Sequence, residues 1–205
     1  MACFYSLTVQ IHAMKFILAS SSPRRLELLT QIGFKPDIVD APDIDETPNR
    51  QEKPGDFAKR MGIEKAEVIA VKHEEGIILA ADTIVGLGLR IIGKAANRDE
   101  AFRDLSLMQG RNHRVYTGMT IIKKSAGKTE RSIKLVETTV RFRRMLPDEI
   151  NWYLDTKEWE GKSGSFTLMG IGAGFIQNIK GSHTNVIGLP LCEARNVLVS
   201  MGLRP

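Results

Sequence analysis

The stretch from Phe16 to Leu29, FILASSSPRRLELL, changes hydrophobic period in its middle, and that change constrains the fold more than any other feature of the chain. Phe16-Ile17-Leu18-Ala19 is a short apolar run of the kind found in a strand buried on both faces, whereas from Pro23 onward Leu26, Leu28, Leu29 and Ile32 fall at helical spacing. Pro23 opens the helix where a missing N–H costs nothing, because the first turn leaves its donors unpaired, and Gly33 is placed to end it. Three serines therefore precede a helix N-terminus, and Arg24 and Arg25 stand in its first turn. Each cation there loses ~0.3–1 kcal/mol against the helix dipole. Either an anion normally sits in this corner, held by free N–H groups and the two guanidinium groups, or both arginines are solvated on a surface helix.

With 205 residues and 42% hydrophobic content, the chain can bury the core of one large domain, or of one domain with a lobe. No apolar run approaches the ~20 residues that span a bilayer. Met1 to Ala13 lacks the basic region and apolar core of a secretory signal, so residues 1–13 read as an extension and 14–205 as a single catalytic domain, with Met14 as the natural start. Cys3 and Cys192 supply neither a disulfide framework nor a zinc motif, and a reducing, cytoplasmic compartment is the simplest reading. The excess of 29 Lys and Arg over 24 Asp and Glu suits an anionic partner. Because the basic residues are spread without an aromatic-interleaved stripe, no stable nucleic-acid partner is expected.

Further along, Lys35 to Val39 reads as a second strand, and Pro42 to Pro48 breaks regular structure around Asp43, Asp45 and Glu46. These carboxylates suit a hard divalent cation, of which Mg²⁺ typically takes one or two from the protein; they equally suit a solvated loop. A helix is predicted over Asp56 to Val71 despite Gly62, and nothing local singles out Lys65 on it. Gly76 to Val85 is a second strong strand interrupted by Asp82 and Thr83. An ionised carboxylate in such a run stands at the strand end, is paired, or faces a site, and ligands of open α/β sheets gather at carboxyl ends of strands.

Arg90 to Ile92 returns as a short hairpin strand, and Gly93-Lys94 leads into a helix capped by Asn97 and Glu100 and running to Met108. Arg114 to Lys123 and Ser132 to Arg143 alternate as a long antiparallel hairpin, followed by a helix from Pro147 to about Thr156. Gly161 to Ser182 is glycine-rich. Gly161-Lys162-Ser163 copies the end of a P-loop without its earlier glycine, and Gly170, Gly172 and Gly174 lack dinucleotide-binding spacing. Glycines here let short strands bend and approach a ligand or backbone closely. A last helix is predicted from Pro190 to about Met201, and the four histidines show no metal-ligand spacing.

Leu18-Ala19-Ser20-Ser21-Ser22-Pro23-Arg24-Arg25 is followed in order by Asp45-Glu46, Lys65-Ala66, Ala81-Asp82-Thr83, Gly93-Lys94, Gly110 to Gly118, Gly161 to Phe166 and Asn185 to Leu191. This series resembles the Maf family of nucleoside triphosphate pyrophosphatases, from about Lys15 almost to the C-terminus. The resemblance implies an elongated, two-lobed α/β fold of the Maf/inosine-triphosphate-pyrophosphatase type, with a central mixed sheet and an interlobe cleft. It also implies hydrolysis of a nucleoside triphosphate between the α and β phosphates, with Mg²⁺ or Mn²⁺ as cofactor, and a homodimer.

On that resemblance Asp82 is the general base or activator of a metal-bound water, and Glu46 is a metal-side carboxylate. Lys65 and Lys94 join them as catalytic residues and, with Ser20, Arg24 and Arg25, hold the triphosphate. The positions that distinguish substrates read Arg24, Thr83 and Met169. The first two match the subgroup acting on dTTP and UTP. Met169 replaces a glutamine, and a thioether lacks the paired donor and acceptor of an amide. The expectation is a pyrimidine-preferring enzyme with relaxed base discrimination that clears non-standard nucleotides. The alternative is a nucleotide-binding regulator of cell division without significant turnover.

Overall fold

Every side chain of Phe16–Ala19 is buried, because this strand, β1, has neighbours on both edges and cover on both faces. A computed structural model describes residues 14–205, so the proposed extension 1–13, with Cys3, lies outside the described residues. After β1 come α1 (Pro23–Gln31), β2 (Ile38–Val39), α2 (Pro54–Val71), β3 (Gly76–Leu87), β4 (Arg90–Ile92) and α3 (Arg98–Met108). The second half is β5 (Asn112–Ser125), β6 (Lys128–Phe142), α4 (Pro147–Asp155), a 3-10 turn (Ile171–Phe175), β7 (Ile176–Lys180), α5 (His183–Ile187) and α6 (Leu191–Ser200).

The strands form one mixed sheet in the order β2-β1-β3-β5-β6-β7, with β4 attached to β3. β1 pairs in parallel with β2 and β3, and all other pairings are antiparallel. Period-two alternation sorts the side chains of β1 and β3 onto two faces. Phe16, Leu18, Leu79 and Ala81 pack with α1 and α6, while Ile17, Ala19, Ile78 and Ala80 pack with Ala66, Ile69 and Ala70 of α2. A separate core, built on Val115, Val140, Phe142, Leu105, Tyr153 and Phe175, fills the far lobe under α3 and α4.

The strand boundaries explain the opening between the lobes. β1 pairs with β3 only as far as Ala19 against Ala80, after which the chain turns away into α1. β4 joins the same edge only at Val85, so Ala81 to Ile84 have β5 on one side and no strand on the other. Asp82 therefore lies within β3 rather than at its end, as the sequence had implied, because pairing with β5 carries the strand on to Leu87. It nevertheless sits just beyond the carboxyl end of the parallel segment.

Other boundaries shift for local reasons. β2 is shorter than Lys35 to Val39, since the Asp37 carboxylate accepts the Phe16 N–H at 2.7 Å in place of a further ladder bond. The long hairpin turns through Ala126 and Gly127 alone, both at positive φ (49° and 73°), the geometry of a type I′ turn that matches strand twist.

Candidate active site

The two faces of β3 deliver two different groups to the open edge. Continuing the alternation, Asp82 falls on the α2 face and Thr83 on the α1 and α6 face. Asp82 pairs across the sheet with Gly118, and a Cβ there would stand 2.0 Å from the Ala58 carbonyl oxygen of α2. A Cβ on Gly62 would likewise stand 2.5 Å from the Gly118 carbonyl oxygen. These two glycines let α2 lie directly on β5, and Lys65, one turn beyond Met61, thereby reaches Asp82. Gly62 is thus a contact that locates a lysine, a role helix propensity alone does not reveal.

Lys65 Nζ lies 2.5 Å from Asp82 Oδ1 and 2.6 Å from Glu46 Oε1, and Lys94 Nζ lies 3.4 Å from Glu46 Oε2. Lys65 and Asp82 are buried and Glu46 is half-exposed. Burial pushes the Glu46 carboxyl upward, but the hydrogen bond and charge of Lys65, aided by Lys94, outweigh it and leave Glu46 below its ordinary value. The Pro42 to Pro48 loop contributes only Glu46 among its three carboxylates to the cleft; Asp45 accepts the Thr47 N–H at 2.9 Å.

On the opposite face Arg25 is half-buried at the α1 corner, at the edge of the cleft. It donates to the Gly188 carbonyl at 2.9 Å, to Ser20 Oγ at 3.1 Å and to Thr83 Oγ1 at 3.3 Å. Burial lowers its pKa, with Asp82 and Glu46 working against that shift. Ser20 does not line the cleft: it lies beneath the floor, 3% exposed, its hydroxyl engaged by Arg25 and by the Ser22 N–H. Arg24, by contrast, reaches the cleft, and its Nε is buried without a hydrogen-bond partner among the described residues.

The cleft encloses about 820 Å³ and brings together Arg24, Arg25, Glu46, Lys65, Asp82, Thr83, Lys94 and Met169. It also contains Lys162, which sequence reasoning set aside with the false P-loop. The backbone of Lys94 bridges to Ser163, Gly164 N–H donates to the Gly93 carbonyl at 2.9 Å, and Ser163 Oγ donates to the Thr83 carbonyl at 3.1 Å. Segment 161–164 therefore covers the open edge of β3 and carries Lys162 into the cleft. Burial, then Arg24, lowers the Lys162 pKa. The flanking glycines were the only local sign, since they permit such a close backbone approach.

Five cationic side chains face three carboxylates, Glu27, Glu46 and Asp82, so the cleft favours a polyanion. No cluster of three or more His, Cys, Asp and Glu suited to a metal exists among the described residues. Glu46 and Asp82 converge on Lys65 Nζ through one oxygen each, which leaves Asp82 Oδ2 and Glu46 Oε2, the latter 3.4 Å from Lys94 Nζ, as the hard oxygen donors toward the cleft. That set fits a cation such as Mg²⁺, which completes its coordination with water and substrate phosphate.

Known proteins resemble this chain over most of its length. The family model described as Maf-like protein matches residues 15–201. A dTTP/UTP pyrophosphatase of Caulobacter vibrioides is 44% identical, over 92% of this chain and 96% of its own. One of Zymomonas mobilis is 45% identical over 93% of each, and a nucleoside triphosphate pyrophosphatase of Rickettsia akari is 43% identical over 93% of this chain and 96% of its own. A HAM1 protein from Coxiella burnetii shares the fold, with a TM-score of 0.51 at 16% identity, over 91% of this chain and 99% of that one. Among the described residues no helix is long and apolar enough to cross a membrane. The chain belongs to the Maf-like protein family.

Proposed function

We propose that this protein hydrolyses nucleoside triphosphates, dTTP and UTP foremost, to the monophosphate and pyrophosphate. The observation that carries the reading is the Asp82–Lys65–Glu46 chain at the open edge of β3, set among cations not fully consumed by protein partners. The full-length similarity to relatives named dTTP/UTP pyrophosphatase supports it.

Attack on a polyanion needs charge neutralisation, an aligned water and a base more than covalent catalysis. Arg24, Lys94 and Lys162 draw the phosphate chain into the cleft and stabilise charge on its oxygens. Asp82 accepts the proton of the attacking water, with Lys65 fixing its carboxylate beside that of Glu46. Glu46 and Asp82 would hold a divalent cation, which supplies charge neutralisation and lowers the pKa of a bound water. Arg25, engaged by Ser20, Thr83 and Gly188, fixes the corner from which α1 departs. Met169 offers the wall no amide pair, so base selection is looser than a glutamine would give.

The test is product identification after incubation with dTTP or UTP and Mg²⁺. Monophosphate and pyrophosphate in equal amounts are the expected outcome. A diphosphate with orthophosphate, or nucleotide binding without turnover, would overturn the reading.

A further inference from the structure

We infer that Glu158, which lies outside the cleft, is a positioning residue that sets the substrate-recognition wall, an inference that rests on the proposed hydrolase activity. Thr167 and Met169 line the cleft, and Met169 is 53% exposed there. The chain behind them is held from the other side. Glu158 Oε2 accepts the Ile171 N–H at 2.8 Å, and Oε1 accepts the Gly172 N–H at 3.2 Å. One half-buried carboxylate thus takes both donors just beyond Met169, a charge-assisted pair stronger than neutral bonds.

Two further observations show how closely this anchor is built in. A Cβ on Gly170 would lie 2.3 Å from Glu158 Oε1, yet Gly170 has φ −156°, a conformation open to any residue. A side chain at this position would therefore push the Glu158 carboxylate off the two N–H groups. Glu158 is itself fixed by its neighbour Trp159, which is buried and donates its indole N–H to the Leu154 carbonyl at 3.0 Å at the end of α4. Within the loop, Thr167 Oγ1 accepts the Met169 N–H at 3.2 Å, so the anchored end and the cleft-facing side chains form one short unit. Glu158 therefore controls where Thr167 and Met169 stand against a bound nucleoside, while Asp82 and Lys65 lie on other elements.

The experiment measures kcat and KM for pyrophosphate release from dTTP, UTP, CTP and GTP by wild type, Glu158→Ala, Glu158→Gln, Gly170→Ala and the Glu158→Ala/Gly170→Ala double variant. Thermal melting confirms folding of each. A residue that shapes ground-state binding changes KM and leaves kcat alone, so Glu158→Ala should raise KM about tenfold, alter the order of preference, and leave kcat within about twofold. Glu158→Gln, whose amide oxygen replaces one acceptor and whose nitrogen opposes the other N–H, should fall between. Gly170→Ala should imitate Glu158→Ala, and the double variant should be no worse than either, since both remove one interaction.

Hydrogen exchange gives a readout independent of turnover: the Ile171 and Gly172 amides should lose protection in Glu158→Ala while β3 does not. Unchanged KM and preference in a folded Glu158→Ala, or additive effects in the double variant, would overturn the inference alone. A wild type that releases no pyrophosphate from any triphosphate would instead overturn the functional reading, and the inference with it.

Discussion

The floor and the far wall of the cleft are built in opposite ways. The floor is made of regular elements: β3 presents Asp82 and Thr83 by strand alternation, and α2 lays Lys65 on Asp82 because Gly62 and Gly118 permit contact with β5. Its positions are fixed by buried packing on both faces of the sheet. The wall from Gly161 to Phe175 has little regular structure: Phe166 and Phe175 tie it to the far-lobe core, and the cleft-facing stretch between them is placed by a few hydrogen bonds, from Lys94, Ser163 and Glu158. A site whose chemistry stands on strands and helices, and whose selectivity stands on a hydrogen-bonded loop, can change substrate without disturbing the reaction.

Substitutions in each region test that division, and the largest effect belongs to the floor. Asp82→Asn removes the proposed base and should cost about 10²–10⁴ in kcat, the usual contribution of a positioned base, in a protein that still folds. Lys65→Ala leaves the buried Asp82 carboxylate without its closest partner and should destabilise the fold by about 3 kcal/mol, read from urea unfolding, besides lowering activity.

The far lobe gives the next effect, this time in pH. His113 is buried, its ring edge-on to Phe142 and Phe166 and both nitrogens without partners among the described residues. Burial pushes its pKa down from 6.5 to about 4. The unfolded chain therefore takes up a proton first as pH falls, so the stability tied to neutral His113 is complete above about 6.5 and is lost between there and 4. The loss amounts to about 3 kcal/mol. Replacing it by leucine should flatten the dependence of Tm on pH across that window, whatever it does to Tm at pH 8. The smallest effect is expected on the wall: Met169→Gln should sharpen the preference for dTTP and UTP over CTP and GTP by about tenfold in kcat/KM, with kcat on dTTP nearly unchanged.

The same division governs what the amino-acid sequence made legible. The corner at Ser20 to Arg25 and the apolar strand carrying Asp82 were visible because strand and helix periods are local properties. The proximity of Lys65 was not, since it depends on two glycines 56 residues apart meeting across the α2–β5 contact. Glycine in a helix looked like a defect until its contact was known. Resemblance to the Maf family supplied Lys65, Glu46 and Lys94, and the structure links them in one chain of contacts, Asp82 to Lys65, Lys65 to Glu46 and Glu46 to Lys94. Lys162 was set aside with the false P-loop and Glu158 escaped notice because irregular segments carry no period, and their placement is written in hydrogen bonds between residues distant in the chain. Arg24 and Arg25 looked equivalent in sequence, but a 100° step along the helix leaves the Arg24 Nε without a protein partner while it ties Arg25 to Ser20, Thr83 and Gly188.

The most direct measurement is the paired determination of kcat and KM on dTTP for Asp82→Asn and Glu158→Ala against wild type. Asp82→Asn should lose kcat by at least about a hundredfold with KM little changed, and Glu158→Ala should raise KM about tenfold with kcat preserved. Wild-type kcat in Asp82→Asn, or a collapse of kcat in a folded Glu158→Ala, would contradict the separation of a catalytic floor from a selective wall.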